Sequence, residues 1–88
     1  MGVIMEISST LLPFTDGASS VSVNGGTVRA CLNELAVIHP KMSDYLFDMT
    51  GTLKIIVILN GKVLSQKSLD IAVSPDDVLT LLLPMPGG

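Results

Sequence analysis

Val3, Met5 and Ile7 alternate with Ile4, Glu6 and Ser8, the period-2 rhythm of a strand with one face in a core. Pro13 and the pair Asp16-Gly17 interrupt the chain, and residues 9–16 read as a connecting loop. Alternation resumes with Val21 and Val23 inward and Ser20, Ser22 and Asn24 outward, which predicts an N-terminal β-hairpin with a long connection. After Asn24-Gly25-Gly26, the apolar spacing changes. Val28, Cys31, Leu32, Leu35 and Ile38 fall on one stripe of a helix, with Arg29, Asn33 and Glu34 opposite. Thr27 is placed to cap that helix, and His39 before Pro40 ends it.

Tyr45, Leu46 and Phe47 sit among polar residues in a predicted short helical turn, and Gly51 marks a break. Residues 54–59 then predict a strand, closed by the hairpin signal Asn60-Gly61, with Val63-Leu64 opening the return. Leu69, Ile71 and Val73 alternate once more, as a short strand or a crossover. Ser74-Pro75-Asp76-Asp77 reads as a turn, and residues 78–83 as the last strand. The order is ββαβ(β)β, an α+β chain with a mixed sheet of four to five strands on one main helix.

Two features of this pattern bear on function. Ile55, Ile56, Val57, Ile58 and Leu59 are apolar on both sides of their strand, while one helix can cover only one face of the sheet. The second face is therefore either closed by other parts of the chain or open to a partner. In the last strand, Thr80 marks the outward parity, so Val78 and Leu82 point out with it, Leu82 beside the chain end.

Composition narrows the function classes. The 88 residues allow one domain; 48% are hydrophobic and 15% charged, which suits a globular chain. A net charge of −3, no Trp and no basic patch argue against nucleic acid and anionic membranes, and favour a partner with a basic face. The N-terminus has neither the form of a secretory signal nor a complete myristoylation motif, Glu6 standing where Ser or Thr is needed. No apolar run is long enough for a transmembrane helix, and the expected location is the cytoplasm.

Candidate chemistry within the domain is sparse. Cys31 is the only cysteine and lies on the inward stripe of the helix, the place of a small core hydrophobe without a nearby histidine to activate it. Gly25-Gly26 lacks the third glycine and the Lys-Ser/Thr of a phosphate loop and reads as a turn. His39 is placed to complement a helix C-terminus, and Asp76 and Asp77 are ordinary turn residues. No metal ligand set and no acid–base pair is evident, so direct catalysis by the chain is not expected.

The chain end differs. Pro84-Met85-Pro86-Gly87-Gly88 follows the last strand directly. The prolines exclude helix and sheet pairing, and the glycines remove all side-chain bulk. At roughly 3.3 Å per residue the five could reach about 16 Å from the sheet. Glycines fit a narrow channel where any Cβ would clash, which suits a carboxylate that an enzyme must draw to a nucleotide for activation. On this reading residues 1–83 form the domain and 84–88 a flexible tail.

The sequence resembles the ubiquitin-like sulfur carriers of thiamine, molybdopterin and cysteine biosynthesis, the ThiS/MoaD class. The resemblance rests on the opening strand through Ile7, the helix led by Thr27, Ile58-Leu59-Asn60-Gly61, and the run from Asp77 to Pro84 that leads into Gly87-Gly88. Leu11-Leu12-Pro13-Phe14-Thr15 looks most like the molybdopterin-type and cysteine-biosynthesis-type members. One departure is Asp76-Asp77, where the family usually carries Gly-Asp.

The resemblance implies a β-grasp fold and a carrier that is not itself an enzyme, or that serves as the non-catalytic small subunit of a synthase. It also implies an E1-like partner that uses ATP and magnesium to adenylate Gly88, with no cofactor held by this chain. Pro84, Met85, Pro86 and Gly87 would thread into the partner. A thiocarboxylate at Gly88 would then pass its sulfur to an acceptor enzyme such as a synthase subunit. Leu82 and Val63 would belong to the partner-binding face. A protein modifier joined through Gly88 to lysines, and a passive β-grasp interaction domain, are the other readings.

Overall fold

The computed structural model describes residues 2–84. Its sheet is built from β1 (Val3–Ile7), β2 (Ser20–Val23), β3 (Ile56–Leu59), β4 (Lys62–Val63) and β5 (Val78–Leu82), in the spatial order β2-β1-β5-β3-β4. The helices α1 (Val28–Ile38) and α2 (Ser43–Leu46) lie between β2 and β3 in the chain. β1 runs parallel to β5, and the β1–β2, β3–β5 and β3–β4 pairs are antiparallel. This is the ubiquitin-like β-grasp, a mixed five-stranded sheet on one main helix.

The alternation read from the sequence decides which face is buried. Val3, Met5 and Ile7 of β1, Val21 and Val23 of β2, Val57 of β3, and Leu79 and Leu81 of β5 all point inward and are buried. Val28, Cys31, Leu32 and Leu35 of α1 meet them, fully buried. Truncating one of these leucines to Ala removes about 2–5 kcal/mol, a large share of what so small a domain has. α1 starts where expected, with Thr27 extended and its Oγ1 accepting from Ala30 N–H at 3.1 Å. It ends at His39, whose N–H donates to the Leu35 carbonyl at 2.8 Å.

The two-residue turn Asn60-Gly61 has both φ angles positive, 49° and 88°, which matches the right-handed twist of the strands it joins. The stacked rings of Phe14 and Tyr45, with centroids 3.9 Å apart, tie the N-terminal connection to α2.

Four expectations change, and one open alternative is settled. Residues 9–14 are a 3-10 helix with Leu11 buried, because the connection must drop an apolar side chain into the core. Ile38 is 45% exposed, so the buried stripe of α1 stops at Leu35. The third strand begins at Ile56, since Lys54 N–H donates to the Leu46 carbonyl and Leu53 bridges Phe47. Of the two readings of 69–73, the crossover holds and no strand forms. Its Leu69 and Ile71 carbonyls accept from Arg29 and Val28 N–H, so this backbone closes the first turn of α1. The last strand ends at Leu82, one residue early.

Candidate functional site

The outward side chains form a second face that α1 does not cover. Register places Val63, Ile58, Thr80, Glu6 and Ser20 opposite one another in one row across all five strands. Ile56 faces Leu82 in a neighbouring row, and Val78 faces Ile4 in another. On β4, β3 and β5 the face is apolar apart from Thr80; on β1 it carries Ile4 and Glu6, and on β2 Ser20 and Ser22. Val63 is 65% exposed, and Ile56, Ile58, Val78 and Leu82 are half-buried by their neighbours. A strand interior on both sides is thus excluded for β3: Ile55 and Val57 enter the core, and Ile56 and Ile58 reach the open face.

Leu82 points outward, as the parity of Thr80 implied, and Val63, named through the resemblance, stands on the same face. Glu6 is the single charged outward side chain of the five strands. Its Oε1 accepts from the Thr80 hydroxyl at 3.3 Å, and among the described residues it has no ion pair. Sequence reasoning placed Glu6 outward but missed its neighbour. The parallel β1–β5 pairing joins residues 74 positions apart, and no local pattern announces it.

The start of β5 is fixed by a contact between two turns. Asn60 Nδ2 donates to Asp77 Oδ1 at 2.9 Å, and Asn60 Oδ1 accepts from Val78 N–H at 2.9 Å. Asp77 Oδ2 accepts from Ser74 N–H at 2.8 Å, so one carboxylate spans its own turn and the neighbouring hairpin. The Asn60 amide first, then the Ser74 N–H, hold the Asp77 carboxyl below the usual aspartate range. Asp76 needs no left-handed backbone here, so this turn does not require the glycine that the resemblance leads one to expect before Asp77. β5 leads from this anchor to Leu83 and the exposed Pro84. Met85, Pro86, Gly87 and Gly88 lie outside the described residues.

The remaining candidates resolve simply. Cys31 is fully buried with its thiol directed to the Gly25 carbonyl at 3.5 Å; burial, then the Glu34 carboxylate, push the thiol above its usual range. Gly25-Gly26 cradles no anion. Val28 and Arg29 N–H donate to backbone carbonyls and Ala30 N–H to Thr27, so these three donors of the first turn are already used. His39 sits at the end of α1 with Nδ1 3.6 Å from Asp16 Oδ2, a structural position. A cavity of about 160 Å³ lies among Gly2, Val3, Asn24, Gly25, Gly26, Val73, Ser74 and Pro75. It opens where β1 and β5 begin, at the opposite end of the sheet from Pro84. Among the described residues no group of three His, Cys, Asp or Glu is placed to hold a metal, and no helix is long and apolar enough to cross a membrane.

The same architecture recurs in solved structures. SAMP1 from Haloferax volcanii is 27% identical, with a TM-score of 0.84, over 98% of this chain and 98% of that one. The Amycolatopsis orientalis BexX/CysO complex contains a chain 27% identical over 99% of this chain and 100% of its own, with a TM-score of 0.86. CysO from Mycobacterium tuberculosis is 27% identical over 96% and 100%, with a TM-score of 0.83. No curated protein matches the sequence. The ThiS family model matches residues 9–88, which takes in the Asp77-anchored last strand, the Leu82 face and the tail. The chain belongs to the ThiS family, in the company of ubiquitin-like sulfur carriers and modifiers.

Proposed function

We propose that this chain is a sulfur carrier whose reactive group is the carboxylate of Gly88. An E1-like enzyme would bind the outer face around Leu82 and Val63 and take up Pro84, Met85, Pro86 and Gly87 in a narrow channel. The Gly88 carboxylate attacks the α-phosphorus of ATP, magnesium-bound on that enzyme, and pyrophosphate leaves. A sulfur donor at the oxidation level of sulfide attacks the acyl carbon and AMP leaves, which gives the thiocarboxylate. An acceptor enzyme then takes the sulfur, and the carboxylate is restored by water. The chain itself supplies position and a leaving terminus, and no catalytic group.

The observation that carries this reading is the match to the ThiS family through residue 88, joined to an uncovered apolar face beside the strand that leads into the tail. That a CysO chain from Amycolatopsis orientalis occurs in a complex with BexX favours a partner enzyme here as well. The modifier reading has its own support: SAMP1 is named a modifier protein in a related structure and is as similar in sequence as CysO. In it, a lysine amine captures the same adenylate and AMP leaves.

The test is the intact mass of the protein from its own cells, kept free of added thiols, with the C-terminal peptide fragmented. Replacement of one oxygen by sulfur at Gly88 is the expected result. A plain carboxylate in the free protein, together with Gly88 joined to lysines of other proteins, transfers the function to conjugation. Function retained after deletion of Gly87 and Gly88 overturns both.

A further inference from the structure

On the outer face, one charge stands beside an apolar surface, with Ile4 next to it on β1 and the serines of β2 beyond. In the row Val63, Ile58, Thr80, Glu6 and Ser20, the side chains before Glu6 are apolar or a hydroxyl, and the one beyond it is Ser20. Strands lie about 4.8 Å apart, so Glu6 sits about 10 Å from Ile58, inside the footprint of any partner that covers β3 and β5. A partner that seats there withdraws water from the Glu6 carboxylate. Its internal partner is one hydroxyl, 3.3 Å away, which leaves most of its acceptor capacity unmet. A carboxylate so placed penalises every surface that does not bring a donor to it.

Apart from the Thr80 hydroxyl, no described side chain pairs with the Glu6 carboxylate. Glutamate is disfavoured in strands relative to β-branched residues, and Ile4 and Val78 occupy the adjoining outward positions of the same two strands. We infer that Glu6 is a specificity-determining residue of the partner face, and that the activating enzyme which fits this chain presents one arginine or lysine opposite it, within an otherwise apolar surface. The net charge of −3 adds long-range attraction to such a surface, and Glu6 converts that attraction into a fixed register. The inference rests on the activation proposed above and adds the chemistry of the surface that performs it.

The test is ATP–pyrophosphate exchange by the E1-like enzyme of the same organism, with the full-length chain, Glu6→Gln and Glu6→Lys as protein substrates. Glu6→Gln is expected to raise the KM for the chain about three- to tenfold with kcat unchanged, the range between a rim ion pair and a partly desolvated one. It should also flatten the dependence of kcat/KM on ionic strength, a readout that a merely structural role would not move. Glu6→Lys should be worse than Glu6→Gln. Unfolding midpoints of Glu6→Gln and the natural chain should coincide. An unchanged KM and salt dependence in Glu6→Gln overturns the role of Glu6 while activation stands. Absence of exchange with the natural chain overturns activation, and the inference falls with it.

Discussion

Gly25 and Gly26 are adjacent, yet replacing each by alanine should move stability in opposite directions. A Cβ on Gly25 would stand 2.5 Å from the Cys31 nitrogen, 2.7 Å from the Ala30 carbonyl carbon and 3.0 Å from Ala30 Cβ. Ordinary contact begins at 3.4 Å, so helix backbone would have to retreat about 0.9 Å. That backbone is held on several sides. Cys31 N–H donates to the Thr27 carbonyl at 3.0 Å, Arg29 N–H to Leu69 at 2.8 Å and Val28 N–H to Ile71 at 3.1 Å. A Cβ on Gly26 meets nothing within 4 Å.

Both substitutions narrow the unfolded ensemble by the same amount, about 0.4–1 kcal/mol in favour of folding. The difference between the two variants therefore isolates the clash, about 1–3 kcal/mol on the scale of overpacked sites. Gly26→Ala should be slightly more stable than the natural chain and Gly25→Ala less stable. Urea unfolding followed by far-ultraviolet circular dichroism reads this directly. With a slope near 1 kcal/mol/M for so small a protein, the two midpoints should lie about 1 M or more apart at equal slopes. Gly25→Ala unfolding at or above the midpoint of Gly26→Ala would refute the close approach of this turn to α1, and with it the explanation for a glycine there.

Two further outcomes follow from the side chains described. Cys31 should resist iodoacetamide in the native protein and react at a rate that follows global unfolding, since its thiol is buried and its ionisation suppressed; rapid labelling without urea would place it outside the core. Asp77, whose carboxyl is held below its ordinary value, contributes stability that is present above the unfolded value near about 3.9 and is lost as pH falls through its lower folded value. The natural chain should thus exceed Asp77→Asn in stability at neutral pH, and the gap should close in acid. A gap that is the same at all pH values would remove the charge from the Asn60–Asp77 contact.

What the sequence disclosed was whatever depends on neighbours a few residues away. Thr27 caps α1 through a hydroxyl three residues from the amide it serves, and Asn60-Gly61 turns by its own backbone preference. Strand parity gave the buried and outward sets of β1, β2 and β5 correctly, Leu82 included. The failures share one cause, the destination of a backbone group far along the chain. Leu69, Ile71 and Val73 alternate as a strand would, but their peptide groups pair with Arg29, Val28 and Gly26, and only tertiary contact says so. Ile38 continues the helical stripe in sequence, but burial ends at Leu35, and only the packing around the helix end decides that. In the candidate site the same limit hid the Glu6–Thr80 and Asn60–Asp77 contacts, although all four residues lay in elements correctly read.

The placement of β5 gives the proposed carrier its mechanical sense. The tail follows from the one strand that is bonded on one side to β1, over four register positions, and on the other to β3, over four more. Its far end is locked by Asn60 and Asp77. Edge strands open first in local unfolding, and β4, two residues long, is the edge on that side. A partner that draws the chain end into a channel would therefore pull on the element whose release requires the whole sheet to open. Val63, Ile58, Ile56, Val78 and Leu82 lie on that element and on β3 and β4 beside it, so the surface proposed to dock and the strand that leads to the tail belong to one bonded sheet. A carrier needs that coupling, because the position of its terminus is set by how its domain is held.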